Sequence, residues 1–171
     1  VLTIVTFKYV KDNDIDIKEY IEESATMKGT IGDTLSGDDV KITLTDALIY
    51  PRIEGEAFTD TPAEGKEYLV FFFNVENIDD ENNFVSIHNF TGYVDDTLVA
   101  SKILINNVDN VQYLSADLTS GKKTRGYVAY EVDTNWKQFD IHYKENSFDY
   151  NDSMIFTVVN EENNQNNNNN A

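Results

Sequence analysis

The stretch from Lys66 to Asn77 constrains the fold of this chain more than any other. Its sequence, KEYLVFFFNVEN, is rich in aromatic and β-branched residues, and large apolar side chains fall on both alternation faces. Successive side chains of a β-strand point to opposite faces, so a strand that is apolar on both faces is covered on both. The sequence therefore predicts a central strand over residues 66–77 in the middle of a β structure.

Other segments show shorter runs of β-branched and aromatic residues bounded by polar turns. They predict strands over residues 1–10, 40–50, 84–93, 98–105, 125–132, 138–143 and 154–159. About seven short strands without an interleaved helical pattern favour an antiparallel β-sandwich over a parallel α/β sheet. A closed barrel is the alternative. The 171 residues suffice for one domain with a short additional segment.

The first part of the chain contains one helical signal. Asp16 and Glu19 have the spacing of a capping box, and Ile17 and Ile21 would share one face of a helix. This pattern predicts a short helix that ends near Ser24. Glycines then break up the following stretch, which is interpreted as a linker.

These patterns divide the chain into three parts. Residues 1–37 are interpreted as an N-terminal extension that contains a strand, the short helix and the linker. Residues 38–160 are the predicted sandwich. Residues 161–171 are rich in Asn and lack apolar groups apart from the final Ala, so they are predicted to be a disordered tail.

The charge of the chain excludes several kinds of partner. Its 31 acidic and 13 basic residues give a formal net charge of -18. Phosphate backbones and anionic membrane surfaces would be repelled, so no nucleic acid and no direct membrane contact are expected. The chain has no Cys, which excludes disulfides, thiolate nucleophiles and Cys-based zinc sites.

Two acidic segments have the composition of a calcium loop. Asp12, Asp14 and Asp16 alternate, and Glu23 falls where the closing bidentate ligand would lie. However, Ile17 occupies the position that needs Gly for the sharp turn, so a solvated turn is the favoured interpretation. Residues 79–83, Asp-Asp-Glu-Asn-Asn, are interpreted as a hydrophilic hairpin tip.

The side chains that could carry chemistry form no recognisable constellation. His88 and His142 each fall in a predicted strand without further zinc ligands other than carboxylates, and are interpreted as surface or edge residues. Nucleophile, phosphate-loop and metalloprotease motifs are absent from the sequence. No catalytic residue, metal site or cofactor is therefore predicted.

Aromatic residues near one turn allow two interpretations. Trp136 could join Tyr127, Tyr130 and Tyr143 in an exposed patch that stacks on a carbohydrate or a peptide. Alternatively, Trp136 closes one end of the sandwich core, and this interpretation is favoured.

Several short segments occur in a fixed order from residue 64 onward. They are EGKEYLV at 64–70, FNVEN at 73–77, NF at 89–90, YVDD at 93–96, LTSGKK at 118–123 and GYVAYEV at 126–132. This ordered set resembles a bacterial family of immunoglobulin-like domains of unknown function, and the likeness covers roughly residues 38–159. Gly65 and Gly121 can adopt positive φ before strands, and Asn77 can bond its neighbouring backbone where the central strand ends.

The resemblance implies an immunoglobulin-like sandwich, related in fold to a secreted mycobacterial immunoprotective antigen. Members of the family are typically secreted proteins or lipoproteins, many from Gram-positive bacteria, so the domain is expected outside the cell or at its surface. An anchor, such as a lipid-attachment Cys, is expected upstream of Val1.

The function expected from the sequence is non-enzymatic binding or scaffolding at the cell envelope, with a protein or envelope component as partner. One alternative is a metal-dependent or carboxylate-based enzyme whose site is invisible in the sequence. The other is a purely structural spacer. The ligand and the oligomeric state cannot be inferred from these residues.

Overall fold

The computed structural model of the chain describes residues 2–11, 14–23, 26–145 and 154–163, and these residues form mostly β-strands. Their bounds are β1 Leu2–Lys11, β2 Asp14–Glu23, β3 Met27–Gly29, β4 Thr34–Ser36, β5 Val40–Tyr50, β6 Ile53–Glu54, β7 Thr59–Asp60, β8 Lys66–Asn77, β9 Asn83–Ser86, β10 Phe90–Val94, β11 Thr97–Val99, β12 Ser101–Lys102, β13 Ser115–Leu118, β14 Lys123–Asp133, β15 Gln138–Tyr143 and β16 Met154–Val159. A 3-10 helix spans Ile87–Asn89. No helix in these residues is long and apolar enough to cross a bilayer.

Two five-stranded sheets pack face to face. Sheet I has the order β11-β10-β15-β16-β3, and sheet II has the order β12-β14-β8-β5-β4. Neighbouring strands are antiparallel except for β16 and β3, which are parallel. The prediction of an antiparallel β-sandwich is confirmed.

The central strand β8 has the predicted bounds and is covered on both faces. It is hydrogen-bonded along its length to β14 on one side and to β5 on the other. Its inner face, with Phe71 and Phe73, packs against sheet I, where Phe71 lies 4.9 Å from the ring of Phe139. Its outer face carries Val70 and Phe72, and both side chains are buried.

The cover of the outer face consists of loops and the two-residue strands β6 and β7 rather than a third large sheet. Ile53, from the connection between β5 and β8, packs on this face, as do Leu104 and Val108 from the connection between β12 and β13. Tyr127 of β14 also belongs to this cluster and is 1% exposed. Sheet II therefore has two apolar cores, the inner core toward sheet I and the outer core beneath the loops.

The structure contradicts the predicted short helix that ends near Ser24. Residues 14–23 form the strand β2, which pairs with β1 in an antiparallel hairpin that sets Ile4 opposite Ile21 and Val10 opposite Ile15. Ile17 and Ile21, whose i, i+4 spacing suggested a helix, also lie with Ile15 at odd positions, which is the two-residue period of one strand face, interrupted only by Glu19. Pairing with β1 selects the alternation.

The predicted strand over 84–93 is interrupted. The side chain of Ser86 accepts a hydrogen bond from the backbone N–H of His88 at 3.3 Å, and Asn89 Oδ1 accepts one from the Ser86 N–H at 2.9 Å. This reciprocal cap stabilises the 3-10 helix between β9 and β10. The segment predicted as one strand over 98–105 is likewise divided, into β11, β12 and an outer-face loop.

The sandwich extends beyond the predicted domain limits at both ends. β3 is an edge strand of sheet I and β4 an edge strand of sheet II, so residues assigned to the N-terminal extension belong to the sheets. At the other end, residues 161–163 form one helical turn, and Asn163 Nδ2 donates to the carbonyl oxygens of Thr134 and Trp136. The rest of the predicted tail, residues 164–171, lies outside the described residues.

Gly65, Gly121 and Asn77 have the roles at strand ends that the sequence predicted. Gly65 and Gly121 have φ values of 77° and 71°. Asn77 is fully buried; its Oδ1 accepts from the Asp79 N–H, and its Nδ2 donates to the carbonyl oxygens of Glu81 and Leu118. These bonds satisfy the backbone where β8 ends.

Candidate functional site

The first acidic segment does not form a calcium loop. Asp14, Asp16 and Glu23 lie on the extended strand β2, and Asp12 lies outside the described residues. At the rise of a β-strand, Asp14 and Glu23 are about 30 Å apart along the backbone, too far to share one ion.

The second acidic segment forms the turn between β8 and β9. Its backbone is held by the amide of Asn77, as described above. Among the described residues, no group of three or more His, Asp and Glu side chains could hold a metal ion.

The four aromatic residues of the hypothetical stacking patch are all buried. Trp136 is 2% exposed, and its Nε1 donates to Glu67 Oε1 at 3.0 Å, so it closes one end of the inner core as the favoured interpretation states. Tyr130 and Tyr143 are also in the inner core, and Tyr127 is in the outer core. The hypothesis that these four residues form an exposed stacking patch is therefore wrong, because burial leaves their rings no face that a ligand could contact.

The two histidines lie in different surroundings. His88 is exposed in the 3-10 helix. His142 is half-buried in β15, in the middle of sheet I rather than at its edge, with its ring 4.9 Å from that of Tyr93. Burial lowers the pKa of His142, which favours the neutral ring.

One small cavity contains a carboxylate with a perturbed pKa. The cavity has a volume of about 80 Å³ and lies between the 36–38 turn and the end of β15, with Glu145 in its wall. Glu145 accepts hydrogen bonds from the backbone N–H groups of Asp38, Asp39 and Val40, at 3.0, 3.0 and 2.9 Å. Burial raises the pKa of Glu145, and these three bonds oppose the rise.

The contacts of Glu145 indicate a structural role. Both of its carboxylate oxygens accept from the backbone, so they hold the entry to β5 rather than a reacting group. A Cβ atom on Gly37 would lie 2.2 Å from Glu145 Oε1, so the turn is built closely around the carboxylate.

A larger feature lies on the outer side of sheet II. The loops over residues 51–65 and 103–115, named here the loop face, are held together by the buried Asp60. Its two oxygens accept from the backbone N–H groups of Ile105 and Asn106, each at 2.9 Å, and from Asn106 Nδ2 at 2.9 Å. Asn106 Nδ2 also donates to the carbonyl oxygen of Phe58 at 3.0 Å. One carboxylate and one amide thus fasten the two loops to each other.

Large apolar side chains are exposed on this loop face. The exposed fractions are 64% for Phe58, 65% for Ile103, 73% for Ile105 and 44% for Tyr113. The contacts of Asp60 and Asn106 bring the backbone of Phe58 beside residues 105–106, and Ile105 and Tyr113 line one groove, so these side chains are carried by neighbouring loops. Isolated exposed apolar residues are ordinary, whereas a group on fastened loops is typical of a contact surface.

A groove with a volume of about 310 Å³ opens within the loop face. It is lined by Leu104, Ile105, Asn106, Asn107, Gln112, Tyr113, Ser115 and Tyr127. The sequence patterns did not predict this groove, because they place positions 103 and 105 in a strand over 98–105, and residues 106–115 match no strand pattern. The apolar residues at positions 58, 103 and 105 were the available signal.

Solved bacterial structures share this fold. The ycdA protein of Bacillus subtilis, a candidate lipoprotein, has a TM-score of 0.61 at 16% identity, over 75% of this chain and 38% of that one. An uncharacterised β-sandwich protein of Clostridium difficile has a TM-score of 0.54 at 10% identity, over 80% of this chain and 97% of that one. The secreted protein MPT63 of Mycobacterium tuberculosis has a TM-score of 0.52 at 12% identity, over 78% of this chain and 98% of that one. This chain therefore spans well under half the length of the ycdA protein.

Sequence comparison agrees with the resemblance noted from the motifs. Curated proteins gave no significant match. A family model described as "Domain of unknown function" matches residues 29–155, which includes β4 to β15 and most of the sandwich. The chain belongs to this family, DUF4352.

Proposed function

We propose that this domain is a non-enzymatic binding module that works outside the bacterial cell and contacts an envelope component with its loop face. The observation that carries the proposal is the group of exposed apolar side chains, Phe58, Ile103, Ile105 and Tyr113, on loops fastened to a rigid sheet. Such a surface can bind without a large loss of conformational entropy on binding, because its backbone is already ordered.

The location in this proposal is supported by the proteins of similar fold. They include a candidate lipoprotein of Bacillus subtilis and a secreted protein of Mycobacterium tuberculosis. The net charge of -18 agrees with a domain that avoids anionic surfaces and makes its contact through an apolar face. An upstream anchor would keep the domain near the envelope.

The proposal that the domain is not an enzyme depends on Glu145, the carboxylate with the raised pKa, being already hydrogen-bonded to the backbone. Glu145 has both oxygens in hydrogen bonds to the backbone, in a cavity of about 80 Å³. The groove of about 310 Å³ on the loop face is lined by amides, hydroxyls and apolar groups instead of acids or bases. A second hollow of the loop face, about 390 Å³ in volume, contains Arg52, Glu54 and Asp109. There Arg52 pairs with Glu54, and Asp109 accepts a hydrogen bond from the Tyr50 hydroxyl.

Co-sedimentation with isolated Bacillus subtilis envelopes tests the proposal. The test variant is Phe58→Ser with Ile103→Ser, and the matched control is Leu98→Ser with Val159→Ser. Both pairs are exposed, 64% and 65% against 65% and 47%, but the control pair lies on β11 and β16 of sheet I, whereas the loop face covers sheet II. Each buried apolar side chain contributes about 1.5–3 kcal/mol, so we expect at least about tenfold weaker binding for the test variant alone.

Two outcomes would overturn the proposal. One is a wild-type protein that does not co-sediment, or that is weakened equally by both pairs of substitutions. The other is release of soluble products from the envelopes that Glu145→Gln abolishes, which would make the domain an enzyme.

A further inference from the structure

The groove on the loop face has a backbone that is fixed before any ligand arrives. One wall is formed by residues 104–107 and the other by residues 112–115, with Tyr127 of the sheet between them. The Tyr127 hydroxyl donates to the carbonyl oxygen of Asn106 at 3.1 Å, and its backbone N–H donates to the carbonyl oxygen of Gln112 at 3.0 Å. The Leu114 N–H donates to the Tyr127 carbonyl oxygen at 2.8 Å. A single strand residue thus sets the spacing of both walls.

Three neutral side chains of the groove are available to a ligand. Asn107, Gln112 and Ser115 are exposed, and within the described part of the chain their side chains have no hydrogen-bond partner. They supply two amides and a hydroxyl, each able to donate and to accept. Asn106, by contrast, uses its amide nitrogen on Asp60 and Phe58 and serves the loop structure.

Apolar surface lies beside these polar groups. Tyr113 and Ile105 line the same groove and are 44% and 73% exposed. An aromatic ring next to amides and hydroxyls suits a ligand with an apolar face and a hydrogen-bonding rim. A volume of about 310 Å³ is near the lower limit for small-molecule sites.

The charge of the groove separates the possible ligand classes. No lining residue is charged, although the chain carries 31 acidic side chains. An anion would meet the repulsive field of a net charge of -18 and find no cation in the groove. A cation would find no carboxylate among the lining residues, and both oxygens of the nearby Asp60 accept from N–H groups.

We infer that this groove binds a neutral saccharide, with a pyranose ring against Tyr113 and its hydroxyls on Gln112, Asn107 and Ser115. The inference rests on the proposed function and names the ligand class of the same loop face. A saccharide combines C–H surface with neutral hydroxyls, which is the combination that the groove offers.

The test is an NMR titration of the protein with four trisaccharides. Chitotriose and maltotriose are neutral, the fully deacetylated chitosan trimer is cationic, and trigalacturonate is anionic. We expect a neutral trimer to shift the amide resonances of residues 104–107 and 112–115 with a dissociation constant of about 1 mM, and the charged trimers to leave them in place. The inference is wrong if neither neutral trimer shifts these resonances at about 10 mM, or if a charged trimer binds as tightly.

Variants locate the binding within the groove. Tyr113→Ala and Gln112→Ala should each weaken binding of the neutral trimer at least about fivefold, whereas Leu98→Ala, an exposed apolar residue on β11 of sheet I, should leave it unchanged. Well-dispersed spectra confirm that each variant is folded. Equal affinity of the wild type and Tyr113→Ala would overturn the inference.

The two proposals fail in different ways. Envelope binding that depends on Phe58 and Ile103, without any response to neutral trisaccharides, leaves the proposed function standing and rejects the saccharide. A groove that binds neutral trisaccharides in a protein that does not co-sediment with envelopes rejects the proposed envelope function and keeps the saccharide site.

Discussion

The two faces of sheet II are covered in different ways. Toward the inner core, Phe71 and Phe73 meet the side chains of a second sheet, which satisfies its own backbone through its ladders. On the outer face, Phe72 and Val70 are covered by loops. Apart from the short pair β6–β7, these loops have no ladder, so most of their backbone groups need other partners, including side chains.

This difference explains the polar network on the outer face of sheet II. Asp60, Asn106 and the hydroxyl of Tyr127 bond the backbone of the covering loops, whereas the strands of sheet I bond one another through their backbones. A sheet that covers a core presents a regular surface, whereas loops that cover a core can leave side chains exposed and form a groove. The inner core thus stabilises the fold, and the outer cover provides the surface available for binding.

The largest expected effect comes from two adjacent phenylalanines on opposite faces of β8. Phe71→Ala should lower the free energy of unfolding by about 3–5 kcal/mol, because two packed sheets cannot collapse into the cavity. Phe72→Ala should cost less, about 2–3 kcal/mol, because among the described residues the outer core has 8 buried residues against 22 in the inner core and fewer contacts are lost. Urea denaturation measures both values. Equal costs would show that the loop cover packs on β8 as closely as the second sheet does.

A smaller effect is expected from the carboxylate that fastens the loops. Asp60→Asn replaces one acceptor oxygen by an NH2 group that faces N–H donors, and should cost about 1.5–3 kcal/mol. Amide hydrogen exchange should accelerate at residues 104–107 while β8 stays protected. Asp117→Asn, an exposed residue of β13, is the control and should change neither quantity. Faster exchange in β8 would contradict a separate role for the outer cover.

The smallest expected effect is a change of stability with pH that comes from Glu131, which forms a second link between the sheet and the outer loops. Glu131 accepts from the Ala63 N–H at 2.7 Å and pairs with Lys102 at 2.7 Å. The Ala63 bond, followed by the Lys102 contact, lowers the pKa of Glu131 below its ordinary value of 4.5. This contribution to stability is therefore present above the ordinary pKa and is lost as the pH falls through the lowered value.

The corresponding measurement compares the wild type with Glu131→Gln by thermal unfolding between about pH 7 and about pH 3. The difference in stability should be largest at neutral pH and should shrink in acid. A difference that is independent of pH would mean that the carboxylate charge of Glu131 contributes nothing to the attachment of the loops.

The sequence predicted the parts of the fold in which alternation and pairing agree. β5, β8 and β16 have the predicted bounds, since their apolar patterns match the faces that are buried. The pattern over 14–23 fitted both a helix and a strand, and only the partner β1 decides between them. Local spacing contains no information about such a partner.

The candidate site was beyond the reach of the sequence for a related reason. The sequence offered an aromatic contact surface around Trp136 only as the disfavoured alternative, and the core buries that residue. The exposed residues Phe58 and Ile103 come from two distant loops, which Asp60 and Asn106 bring together. A carboxylate that binds backbone N–H groups across 45 residues leaves no periodic signal.

The parallel pairing of β3 with β16 has a consequence for the order of folding. Thr30 Oγ1 bonds the carbonyl oxygen of Thr157, a contact between residues 127 positions apart. A chain that emerges from a ribosome or a translocation pore N-terminus first must keep β3 without its sheet I partner until β16 has appeared. Sheet I is thus completed last, and premature arrest would leave an open strand edge able to pair with another chain.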